Sequence, residues 1–186
     1  MKTYLSLLFC TLSLITSFAT TAGGVYQEPA DFIKQVFDNE PPKPEVLWLD
    51  KELKNKITEI LDHKYKALRI RYWSQAGEPT ENTTNRTAWI LEEIGKEKPI
   101  TVGIVINNDK IELVKVLVFR ESRGWEVRHD FFTNQFKLAT LRPDHQLNKS
   151  IDNISGATLS VRAVSKLARI ALLLDKKIHS KVNDEK

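Results

Sequence analysis

Along the chain the apolar positions change period twice. Leu53, Ile57, Ile60 and Leu61 fall on one face of a helix, with Lys51, Lys54 and Lys56 elsewhere and Asp50 placed to cap it. From about residue 67 the period drops to two. Leu68-Arg69-Ile70-Arg71-Tyr72-Trp73 alternates and predicts a strand, followed by a polar loop over 75–86 with Gly77, Pro79 and a run of Asn and Thr. Further strands are predicted over 89–95, 100–106 and 111–119. Asn107-Asn108-Asp109 between the last two favours a tight hairpin, because Asn and Asp tolerate positive φ. The fourth strand is apolar on both faces, so it is expected to be central or covered on both sides. A polar loop over 121–126 leads to a short helix behind Asp130 carrying Phe131, Phe132 and Phe136. A final helix runs from about 159 to 178, with Val164, Leu167, Ala168, Ala171, Leu174 and Ile178 along its stripe.

Ahead of these elements, residues 23–45 read as a weakly structured lead-in. Asp31 there caps at most a short turn through Phe32, Ile33, Val36 and Phe37, before Pro41-Pro42-Lys43-Pro44 stops any helix. The pattern predicts an α+β fold: an antiparallel four-stranded sheet packed by an N-terminal helix and a long C-terminal helix, in one domain over 46–180 without repeats.

Composition narrows the chemistry. The 186 residues are 41% hydrophobic and 28% charged, enough for a packed core. Lys+Arg of 28 against Asp+Glu of 24 leaves only +4, with no three basic residues in a row, so no nucleic-acid partner is expected. Residues 1–22 read as an export signal: Lys2, then an uncharged apolar stretch, then the cleavage triplets Ser17-Phe18-Ala19 and Thr20-Thr21-Ala22. The stretch is short and rich in Ser and Thr, which favours export over a spanning helix, with an uncleaved anchor as the alternative. Cys10, the single cysteine, lies inside it, so the exported chain has no disulfide, thiol nucleophile or Cys-bound centre. The four histidines, His63, His129, His145 and His179, show no metal-binding spacing, and no metal site is expected.

The chemically informative stretch precedes the last helix: Asp152-Asn153-Ile154-Ser155-Gly156-Ala157-Thr158-Leu159-Ser160. It offers a flexible Gly, a small Ala, two hydroxyls and unpaired N–H groups at a helix N-terminus, a combination that favours a phosphate. Small side chains at Gly156 and Ala157 let another molecule approach the backbone. The plainer alternative is that Ser155 or Thr158 only N-caps the helix.

This segment resembles the flavinylation motif of FMN-binding domains, Asp-x-x-Ser/Thr-Gly-Ala-Ser/Thr. Asp152, Ser155, Gly156, Ala157 and Thr158 all occupy its positions. Such domains occur in the covalent-flavin subunits of sodium-translocating NADH:quinone reductase and Rnf complexes, and in small exported relatives. Glu93-Ile94-Gly95-Lys96-Glu97-Lys98-Pro99-Ile100-Thr101 is similar to the segment entering the sheet in those relatives. Phe119-Arg120-Glu121-Ser122-Arg123-Gly124-Trp125-Glu126-Val127 is similar to their loop after the hairpin, and residues 131–136 to their helix.

The resemblance implies that Thr158 accepts FMN through a phosphoester. A flavin transferase would use FAD as donor, with Mg²⁺ on the diphosphate and AMP leaving. Asp152 would serve that transferase, or else hydrogen-bond turn amides. The cofactor would be covalent FMN, held by Ser155, Gly156, Ala157 and the Ser122, Arg123, Gly124 loop. Arg123 would favour the anionic reduced flavin, unless it pairs with Glu121 or Glu126. Trp125 and Phe136 either flank the ring or belong to the core. Lys96 and Lys98 either approach the phosphate or are solvated.

The implied function is electron transfer in the periplasm of a Gram-negative-type cell, in soluble form or at the membrane with an electron-transfer protein that spans it. A flavin-dependent reductase of a small acceptor and a flavin-free binding or adaptor module are the alternatives. An exported protein gains from tethering its flavin, since lost FMN would meet little free pool to rebind. The sequons at Asn82, Asn85, Asn148 and Asn153 are read as incidental.

Overall fold

The computed structural model describes residues 24–76 and 85–184. The export-signal stretch and the middle of the 75–86 loop, Gly77 and Pro79 included, lie outside the described residues.

The elements are β1 (Gly24–Val25), α1 (Pro29–Val36), β2 (Glu45–Trp48), α2 (Lys51–Leu61), β3 (Arg69–Ala76), β4 (Asn85–Ile94), β5 (Pro99–Asn107), β6 (Lys110–Phe119), α3 (Asp130–Thr133) between two 3₁₀ turns, and α4 (Thr158–Asp184). The fold is α+β, as the pattern predicts, but its antiparallel sheet has six strands in the order β1-β6-β5-β4-β3-β2. The two additional strands are short edges. β1 adds two residues beside β6, and β2 adds four beside β3 with only Leu47 buried, too little alternation to read.

The single N-terminal helix expected is in fact two, on opposite faces. Leu53, Ile57, Ile60 and Leu61 of α2 join α4 and the sheet face of Trp89, Val102 and Ile104 in the larger core. Asp50 caps α2 as expected, its Oδ1 accepting from the Leu53 N–H at 2.8 Å. The supposedly weakly structured lead-in holds α1, whose Phe32, Ile33 and Val36 cover the other face against Ala88, Val105, Leu117 and Val118. Two turns of helix before a proline run are too short for periodicity to stand out. Gly103 makes room for this layer: a Cβ there would come within 2.5 Å of the Phe32 ring.

β6 is covered on both sides, with Val114 and Val116 in the larger core and Leu117 and Val118 in the smaller. The β5–β6 hairpin turns on Asn108 (φ 49°) and Asp109 (φ 61°), the left-handed pair a two-residue turn requires. With both faces covered, the accessible chemistry is left to the ends of the sheet.

Candidate functional site

Three connections meet at the end of the sheet remote from that hairpin. The 95–98 turn joins β4 to β5, with the Gly95 N–H donating to the Lys98 carbonyl at 3.1 Å. The loop after β6 runs through Glu121, Ser122, Arg123 and Gly124. The third is the start of α4. Between them lies a cavity of about 570 Å³, lined by Lys96, Glu97, Glu121, Ser122, Arg123, Gly156, Ala157, Thr158, Leu159 and Ser160.

Glu121 ties the first two segments together. Its Oε1 accepts the backbone N–H groups of Lys96, Glu97 and Lys98 at 2.5, 2.6 and 2.9 Å. Burial pushes its carboxyl upward, but the three amides, with the Lys96 charge, outweigh burial and hold it below the usual carboxylate range. Gly124 ties the second segment to the third. Its φ is +86°, and a Cβ would meet Ser160 Oγ at 2.5 Å and the Ala157 Cα at 3.4 Å. Only glycine suits both the backbone angle and the close approach.

At α4, neither Ser155 nor Thr158 caps the helix from outside. Thr158 is itself the first helical residue, preceded by the buried Ala157, which has no side-chain oxygen. The Val161 N–H donates to the Ala157 carbonyl at 2.9 Å, so the amides of residues 158–160 precede the first intrahelical bond. Thr158 Oγ1 accepts from Asn153 Nδ2 at 3.0 Å, which leaves its own proton uncommitted in that contact. Gly156 (φ +81°) meets nothing within 4 Å of where a Cβ would stand. The helix terminus and Arg123 bring positive charge to one cavity, joined by Lys96, whose ammonium is paired with Glu97 of the same lining at 3.3 Å, while Glu121 Oε1 is taken up by backbone amides. Cavity, donors, open glycine and hydroxyl fit a phosphate-bearing flavin such as FMN.

Of the residues expected at the site, Lys96, Ser122, Arg123, Gly156, Ala157 and Thr158 line the cavity, and Gly124 supports it. Arg123 is exposed and, among the described residues, pairs with neither Glu121, whose Oε1 is held by backbone amides, nor Glu126. Ser155 and Asp152 stand outside the lining, both exposed. The Asp152 N–H donates to Gln135 Oε1 at 2.7 Å, while its carboxylate accepts from no turn amide among the described residues. Lys98 contributes its amide to Glu121, not its side chain to the cavity. Phe136 is fully buried, so for it the core reading holds, while Trp125 is half-buried, packed against the core and edge-on to His129 at 5.3 Å, and does not line the cavity.

The structure adds Glu97, Glu121, Leu159 and Ser160. Leu159 and Ser160 fall inside the motif stretch, and Glu97 and Glu121 inside the two upstream segments that resemble the family, but none of the four was singled out as a cavity residue. Glu121 looked like a surface partner for Arg123, and nothing local in the sequence pointed to its burial.

The fold and cavity define a small α+β domain with an anion-suited helix terminus opening into a ligand-sized space. Residues 95–173 match the family model of the FMN-binding domain, and over that span the chain is an FMN-binding domain. The matched span encloses all three connections that line the cavity. No curated protein and no solved structure matches the chain.

Proposed function

We propose that the chain is an exported electron-transfer flavoprotein that carries FMN in phosphoester linkage on Thr158. The observation that carries this reading is the position of Thr158: the last residue of the Asp152-x-x-Ser-Gly-Ala-Thr motif is also the first residue of α4 and lines the cavity. A phosphate joined there lies among the amides that begin the helix.

The chain's own residues then divide the work. Gly156 and Ala157 admit the phosphate to the backbone, Lys96 and Arg123 supply charge, and Glu121 and Gly124 hold the three connections in place. FMN, when bound, supplies reversible electron transfer, and the protein supplies its orientation and electrostatics. Among the described residues the Thr158 hydroxyl has a hydrogen bond from Asn153 and no base beside it. Activation therefore falls to a flavin transferase that takes FMN from FAD with Mg²⁺ and releases AMP, and the exposed Asp152 carboxylate is available to it. A membrane electron-transfer protein enters as the electron-transfer partner; among the described residues no helix is long and apolar enough to cross a membrane.

The test is co-expression with a flavin transferase, followed by denaturing electrophoresis. Flavin fluorescence should stay with the denatured chain, and native protein should bleach with dithionite and recover in air. Flavin that washes away on denaturation would leave a noncovalent binder, and absence of flavin would leave an adaptor.

A further inference from the structure

Among the described residues two buried carboxylates take no part in the flavin cavity, Glu93, which is paired with His63, and Asp175. Asp175 lies on α4 toward the opposite end of the sheet, among Leu172, Leu173 and Leu174, and is fully buried. A carboxylate in such surroundings is costly unless it is hydrogen-bonded, paired or bound to a cation. One of its oxygens is accounted for. Trp89 Nε1 can only donate, and gives its proton to Thr87 Oγ1 at 2.9 Å, so Thr87 turns its own proton to Asp175 Oδ1 at 2.5 Å. That relay fixes the plane of the carboxylate.

The other oxygen, Oδ2, is buried and has no hydrogen-bond partner. It faces His179 Nδ1, one turn along α4 on the same face, at 3.5 Å. That separation is too long for a good hydrogen bond. The Asp109 carboxylate comes from the β5–β6 turn, and one ligand atom from each of the three residues lies within 4.8 Å of the others.

We propose that Asp109, Asp175 and His179 form a binding site for a divalent transition-metal ion of the zinc(II) kind, joining the hairpin turn to α4. The donor set of one imidazole and two carboxylates suits such ions, whereas magnesium and calcium take oxygen alone. Metal bonds of about 2.0–2.1 Å in a tetrahedron set ligand atoms roughly 3.4 Å apart. The Asp175–His179 pair already stands at that spacing, and the exposed Asp109 closes the rest by a change of rotamer. Thr87 and Trp89 act behind Asp175 as orienting partners. Coordination positions on the exposed side are left for water. The site is independent of the flavin cavity and of the proposed attachment at Thr158.

The experiment uses the whole chain, purified through chelator and without flavin. Zinc(II) is titrated calorimetrically, and cobalt(II) is followed by its visible absorption. One zinc(II) per chain is expected, with cobalt bands that zinc(II) displaces. Asp109→Asn and His179→Gln should each weaken binding at least ~10-fold, while His63→Gln, whose imidazole pairs with Glu93 elsewhere, should not change it. Asp109 is exposed, and an unchanged melting curve in chelator would show that its variant is folded. No stoichiometric binding by the wild-type chain, as an ion pair between Asp175 and protonated His179 alone would give, overturns the proposal. So does binding that survives both substitutions.

Discussion

Three backbone amides of one turn donate to a single oxygen of Glu121, and the cavity depends on that side chain more than on any residue that lines it for chemistry. Removing the carboxylate leaves those amides facing a void, so Glu121→Ala is expected to cost about 2 kcal/mol at neutral pH, the usual range for buried hydrogen bonds to a charged acceptor. The pH dependence follows from the lowered carboxyl. The unfolded chain takes up the proton at higher pH than the folded one, so this stabilisation is complete above the ordinary carboxylate range and is lost as pH falls toward the folded value. Thermal melts of wild type and Glu121→Gln from pH 7 to pH 3 should therefore converge on acidification. A gap of constant size would mean that the charge is not what holds the turns. At this scale the motif residues 152–158 were legible because they are contiguous. Glu121 was not, because its partners lie some two dozen residues earlier and meet it only after the β5–β6 hairpin folds.

At the scale of elements, the strands that alternate and the helices with long stripes could be read from the chain. The hairpin could be read from Asn108 and Asp109 for a stereochemical reason, since both sit at positive φ. What escaped were elements whose burial is decided by a neighbour: β1 and β2 at the edges, and α1, whose apolar stripe of Phe32, Ile33 and Val36 is only two turns long and is buried by a second sheet face. The Phe32 ring is fully buried against Gly103. Phe32→Ala should cost about 3 kcal/mol in denaturant unfolding, as for other buried aromatic truncations. Because α1 lies on the face away from α4, the folded fraction of this variant should accept flavin normally. Loss of flavin with little loss of stability would show that α1 acts on the site. The same dependence on folding hid Asp109, Asp175 and His179, which come from a turn and a helix more than sixty residues apart.

The whole molecule is a sheet covered on both faces, with short strands at both edges and its chemistry at the two ends. One end holds the cavity within the FMN-binding domain, and the other holds the buried Asp175 cluster. Such a plan leaves the cavity open to a partner, as an electron carrier requires, and the small net charge of +4 sets no strong preference for that partner's surface. Whether Thr158 carries the flavin can be read from the intact mass of the chain. The chain is produced with and without a flavin transferase, beside Thr158→Ala. A gain of one FMN minus water is expected in the wild-type chain only when the transferase is present, with no gain in the variant. An unchanged wild-type mass with an active transferase, or a gain that persists in Thr158→Ala, would contradict attachment at Thr158.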